Sequence, residues 1–238
     1  MRVNLPWGRA ALLGAMLLAA LVLTFPLRLA AGWFGLDAFG VSAREVRGSV
    51  WSGRLGEARL ASLPIGDVGA RLNLLPLLAG RARIDLSRDG ESPDRLEGAI
   101  SVSRNGGGID DATARVALGP LLAPLPLLAM DLSDVSVHFK DGLCEKAEGR
   151  VRAEIDGAAM GLSLPGGLSG NARCDGGALL LPLVSQSGME AVSLRLISGS
   201  RYQAEVSVRP GEAGPERLLA SGFSLKGDSY VMSLGGAL

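Results

Sequence analysis

Histidine occurs once in this chain of 238 residues, at His138, and cysteine twice. That stock is too small for the usual zinc sites or for a cysteine-rich scaffold. Aromatic residues make up only 4% of the chain, which leaves little material for stacking bases or sugars. No sign of charge is in excess, with 24 basic against 24 acidic residues. A nucleic-acid binder would carry a basic face, so no nucleic-acid partner is expected. The 34 glycines lack the three-residue period of collagen. G-x-S-x-G, phosphate-binding-loop and C-x-x-C patterns are all missing.

What the chain does have is an asymmetric start. Ala10 to Leu27 is an uncharged run of 18 residues. As a helix it would span roughly 27 Å, close to a hydrocarbon core of about 30 Å. Pro6 and Trp7 precede the run, and Trp33 and Phe34 follow it, where they suit interfacial belts. Arg2 and Arg9 lie before it and only Arg28 closely after, which predicts a cytoplasmic N-terminus. The competing reading is a cleaved signal peptide. Its cut sites near Ala30 and Ala31 would have Arg28 and Leu29 where small residues are wanted. Both readings export the rest of the chain, which carries 21 basic and 24 acidic residues, a net of −3. Small residues spaced four apart, such as Ala10 and Gly14, could seat a second helix, a weak signal in an Ala-rich run.

Export changes the meaning of the cysteines. In an oxidising compartment Cys144 and Cys174 are expected to form a disulfide, with two buried free thiols as the alternative.

Beyond Trp33 the dominant pattern is alternation with a period of two. Val68, Ala70 and Leu72 alternate with Gly69, Arg71 and Asn73; Leu96, Gly98, Ile100 and Val102 make another run, and Val151, Ala153 and Ile155 another. The series continues through Val192–Leu196, Tyr202–Val208 and Tyr230–Leu234. One apolar and one polar face per strand predicts antiparallel sheet. Leu74–Gly80 and Gly119–Met130 are apolar but broken by prolines, and read as short helical turns or loops. Leu72–Gly80 and Leu179–Val184 resemble each other, which suggests a duplicated, folded-over sheet. The expected architecture is therefore mainly β: residues 1–9 cytoplasmic, 10–32 a transmembrane anchor, and 33–238 a periplasmic all-β domain.

Chemistry is harder to find. His138 reads as a surface residue on a strand. Gly106-Gly107-Gly108 reads as a flexible turn before a solvated Asp110-Asp111 pair, and Asp175-Gly176-Gly177 as a turn beside the disulfide. No cluster of acid, base and nucleophile emerges, so no catalytic residue, metal site or cofactor is expected. Trp51 stands between Gly48 and Gly53. It reads as a core anchor whose glycines permit a bend, with an exposed recognition residue as the alternative.

At these residues the chain resembles a known family. Gly48-Ser-Val-Trp-Ser-Gly53, the Leu/Pro-rich stretch at Leu74–Gly80, Cys144 followed by Gly149, Cys174-Asp-Gly176 and Gly199-Ser-Arg-Tyr202 are similar to protein N of the bacterial type II secretion system. The resemblance implies a Gram-negative inner-membrane protein with one span and a periplasmic domain, partnered by other subunits of the secretion machine. The family is also similar to AsmA-like proteins, which implies a lipid-binding alternative. The small inward residues Ala70, Ala114, Ala153 and Ala204 leave either a thin core or a groove for acyl chains.

Overall fold

A computed structural model describes residues 7–27, 29, 41–60, 63–89, 95–118, 127–155, 167–197, 201–209, 215–220 and 222–237. Pro6, Trp33, Phe34, the 119–126 stretch and the 198–200 turn lie outside them.

The chain opens with helix α1 (Trp7–Leu23). The first strands are β1 (Val41–Ser42), β2 (Glu45–Ser49), β3 (Ser52–Leu60) and β4 (Leu63–Asn73). A five-residue helix, α2 (Leu74–Leu78), leads into β5 (Arg81–Arg88), β6 (Leu96–Ser103) and β7 (Gly106–Ala117). There follow β8 (Leu127–Lys140), β9 (Leu143–Ile155), β10 (Leu168–Asn171), β11 (Arg173–Asp175) and β12 (Ala178–Ser185). The chain continues through β13 (Glu190–Ile197), β14 (Arg201–Val208), helix α3 (Pro215–Ala220), β15 (Ser224–Lys226) and β16 (Ser229–Ala237).

Among the described residues all the strands belong to one 16-stranded antiparallel sheet, and nearly every strand pairs with its neighbour in sequence. Short turns make this possible. Asp141 and Gly142 both have positive φ, 50° and 79°, and join β8 to β9 in two residues, the backbone form that matches strand twist.

The sheet has two buried cores. The first-end core draws on β3 and β4 through Leu55, Ala58, Val68 and Ala70, closed by Leu27 and Val50. The larger core takes Val135, Val151, Leu183, Leu194, Val206 and others from β8 through β14. Sharing one core among so many strands requires this half to curl on itself. Helix α3 closes it with Leu218, 1% exposed, and Phe223 follows at 4%. A row fixed by register links the cores: Leu72 and Ile84 pack on the first-end core, Ile100 and Ile109 follow, and Val137 belongs to the larger core. Only Val137 in that row is fully buried. Ala70, Ala153 and Ala204 are buried as core, while Ala114 is only half-buried.

Four expectations need correction. Among the described residues no helix is long and apolar enough to cross a membrane. Helix α1 is 17 residues long and stops at Leu23 rather than continuing to Leu27. Pro26 explains this, because a proline disfavours helical geometry in the residue before it and cannot continue the backbone ladder. Gly106–Gly108 is not a turn but the start of β7, where the missing side chains allow close strand approach. The repeat also fails: Leu74–Leu78 is helical, whereas Leu179–Val184 lies inside β12. Both segments carry a proline, Pro76 and Pro182; the second is held as strand by neighbours on both sides. Finally, Leu127–Met130 is strand, held between β7 and β9, although its prolines upstream suggested a loop.

Candidate functional site

The polar face of the sheet carries a network that no sequence motif announces. Register places Arg83, Ser101, Gly108, His138 and Lys146 in one row across β5 to β9. The middle residues are small, so the outer side chains can reach over them. Arg83 extends from β5 to Asp110 on β7, Nη1 to Oδ2 at 3.6 Å, and His138 reaches the same carboxylate from β8, Nε2 to Oδ1 at 2.8 Å. To donate to a carboxylate, Nε2 must carry the proton. The Asp110 side chain is only 14% exposed, so these partners compensate its desolvation.

Arg83 is shared further. It bonds Asp85 at 3.1 Å and lies 3.7 Å from Asp111. Its hydrogen bond to Asp85 is the main cause holding its pKa above the ordinary guanidinium value; partial burial opposes this, and the fields of Asp110, Asp85 and Asp111 reinforce it. Asp111 has φ 50°, a left-handed backbone at a bulge in β7. Its N–H donates to the Ser136 hydroxyl at 2.9 Å, and that hydroxyl donates to Asp111 Oδ1 at 3.3 Å. Activation of a serine nucleophile needs a hydroxyl donating to a base such as imidazole. Here the buried Ser136 hydroxyl is engaged by Asp111 instead. The network ties β5, β7 and β8 together, and that is its evident work. Among the described residues no group of His, Cys, Asp and Glu is placed to hold a metal.

A second polar feature is a groove of about 910 Å³ along β6 to β10, with Arg95, Arg115, Arg150 and Arg152 on its walls. Arg115 pairs with Asp131 at 3.2 Å and with Glu154. The Glu154 hydrogen bond is the largest cause raising the Arg115 pKa. Exposed pairs of this kind contribute little to stability.

The residues singled out from sequence sit near turns on one side of the meander but in different cores. Gly48, at φ 88°, pairs with Gly53 in the β2–β3 hairpin. A Cβ at Gly48 would meet the Ser52 carbonyl at 2.5 Å, and one at Gly53 would meet Leu27 Cδ2 at 2.3 Å. Gly53 is therefore the seat of Leu27. Trp51 is half-buried against the first-end core. The segment after α1 is stitched to this hairpin: Pro26 bridges Ser49, and the Val50 N–H donates to the Phe25 carbonyl at 3.0 Å. The Val50 carbonyl then accepts from Leu72 N–H at 2.9 Å. Farther along the same side, Cys144 at the start of β9 is bonded to Cys174 in β11, with Cα atoms 5.5 Å apart. The Cys144 N–H donates to the Gly177 carbonyl at 2.8 Å.

These features define a class: a large open antiparallel meander, stapled by one disulfide, with an apolar helix sewn to its first edge. The model of the family described as "Type II secretion system (T2SS), protein N" matches residues 39–227, and the chain belongs to that family. The match begins after α1 and covers nearly the whole sheet. Family membership implies association with other type II secretion components. No curated protein and no solved structure matches the chain.

Proposed function

We propose that the protein is an accessory inner-membrane component of the type II secretion system, supporting export of folded proteins across the outer membrane. The N-terminal segment, with α1 as its described part, attaches it to the inner membrane from the periplasmic side. Residues 33–238 form a periplasmic domain that docks other subunits. The family match over residues 39–227 is the observation that carries this reading. The charge asymmetry around Ala10–Leu27 and the Cys144–Cys174 bond support the placement.

The sheet is open, and that gives docking a route. β15 pairs with only Ser229–Val231 of β16. From Met232 to Ala237 the outer edge of β16 has no strand beside it among the described residues. Such an edge takes an added strand from a partner. The reading assigns no catalytic residue and no cofactor.

The test is a mild-detergent pull-down of tagged protein from its native membrane, combined with a secretion assay. Recovery of secretion subunits, and loss of both recovery and secretion when Ser233 and Gly235 are replaced by proline, is the expected result. Unchanged secretion in a strain lacking the protein would sink it.

A second reading is favoured by one observation, the half-buried apolar row of Leu72, Ile84, Ile100 and Ile109 that leads from the first-end core toward the larger one. An apolar strip of this kind could hold an acyl chain. Stoichiometric lipid in the purified protein, detected by native mass spectrometry, would support that reading; lipid-free protein would remove it.

A further inference from the structure

Helix α2 is an apolar surface feature that neither core absorbs. Its Leu74 and Leu75 are 55% and 77% exposed, although leucine ordinarily seeks the interior. Together the two adjacent leucines make a small apolar patch on the surface.

Its position narrows what it can meet. The Val50 backbone bonds Phe25 on one side and Leu72 on the other. So α2, which begins two residues past Leu72, lies beside the point where the α1 segment joins the sheet. Along α1, Leu12, Leu13, Met16, Leu17 and Leu21 are 57–66% exposed. The segment after α1 and the strand leading into α2 are thus both tied to the hairpin that carries half-buried Trp51.

Charge narrows the choice further. Arg71 lies just before α2 and Arg81 just after it. Arg54 is on β3, where its Cα partner is Gly69, two residues from Arg71 on the same face. All three are exposed, and among the described residues none makes an ion pair. Apolar side chains rimmed by unpaired arginines match the boundary of an anionic bilayer, where leucine enters the acyl region and guanidinium meets phosphate.

We propose that α2 is a second membrane contact: Leu74 and Leu75 insert into the anionic bilayer surface while Arg54, Arg71 and Arg81 engage phosphate headgroups. With α1 this makes a two-point attachment that fixes the tilt of the sheet, where a lone helix would leave it free to swing. The inference rests on the reading of α1 as a membrane attachment.

The experiment uses the full chain in vesicles of phosphatidylcholine with phosphatidylglycerol. Both native cysteines are in a disulfide, so a single cysteine can carry an environment-sensitive fluorophore. Leu75→Cys is the test site, and Ser187→Cys, exposed on the β12–β13 turn, is the reference. The expected result is a blue-shifted Leu75 probe, quenched by headgroup-proximal nitroxide lipid and shielded from iodide, with the Ser187 probe quenched by iodide alone. Arg71→Ser with Arg81→Ser should weaken the nitroxide quenching, and so should vesicles without phosphatidylglycerol. If the protein floats with vesicles but the two probes behave alike, the α2 contact is wrong and the α1 attachment stands. If the protein does not float with vesicles at all, both fall.

Discussion

The His138 ring lies over Gly108. A Cβ added at Gly108 would stand 2.7 Å from His138 Cδ2 and 2.3 Å from the Val137 carbonyl oxygen. The glycine thus gives β7 and β8 their close approach and gives the imidazole its route to Asp110. Gly108→Ala should force the strands apart and cost about 1–3 kcal/mol, as overpacking does. Gly235→Ala, whose new Cβ would meet its nearest atom at 3.4 Å, should be nearly neutral. Urea denaturation of both variants checks this; equal midpoints would contradict it.

Asp110 is held by His138 and Arg83 together. Asp110→Ala should destabilise by about 1–3 kcal/mol, since it strips partly buried donors of their acceptor. Because Asp110 and His138 touch, the double substitution with His138→Ala should be less than additive, with a coupling of about 0.5–3 kcal/mol. A four-protein cycle in urea measures it, and strict additivity would show that the hydrogen bond contributes nothing.

The disulfide joins residues separated by 30 in sequence. Replacing both cysteines by serine should cost roughly 3–4 kcal/mol, on the chain-entropy account of such a loop. Thiol labelling gives a separate check. The native protein should label only after reduction, and ready labelling without a reductant would contradict the bond.

Gly53 and Leu27 make a paired prediction. Gly53→Ala puts a methyl against Leu27 Cδ2, which should expel Leu27 and loosen the stitch at Phe25–Leu27. Proteolytic cleavage between α1 and β1 should then quicken. Leu27→Ala alone should cost about 2–4 kcal/mol. In that background most of the Gly53→Ala penalty should vanish, because the clashing group has gone. If the two penalties simply add, Leu27 does not sit on Gly53.

Much of this fold can be read from alternation alone. Val68–Leu72 and Tyr202–Val208 announce their strands because buried apolar residues alternate with glycine or polar residues. Gly106–Gly108 hid its strand for the opposite reason: glycine has no side chain to alternate. Leu127–Met130 was hidden by the prolines before it. The Arg83–Asp110–His138 network was illegible because its members come from three strands and meet only through register. Asp110-Asp111, seen alone, resembles any solvated acidic pair. Trp51 and the cysteines could be picked out in sequence, but their common side of the meander could not, since that follows from the strand count between them. The docking of Phe25–Leu27 leaves one sequence trace, Pro26, which stops the helix early.

The order of the strands bears on how such a chain can be built. Almost every strand pairs with the one made before it. Each such strand therefore closes a loop onto its predecessor rather than onto a distant part of the chain. In a chain that emerges N-terminal side first, each new hairpin could add to a sheet already formed. The first-end core needs nothing beyond Leu96. It can therefore settle, with the helix stitched to it, before β8 has emerged. The staple between Cys144 and Cys174 would close late, on a half of the sheet already templated by its predecessor.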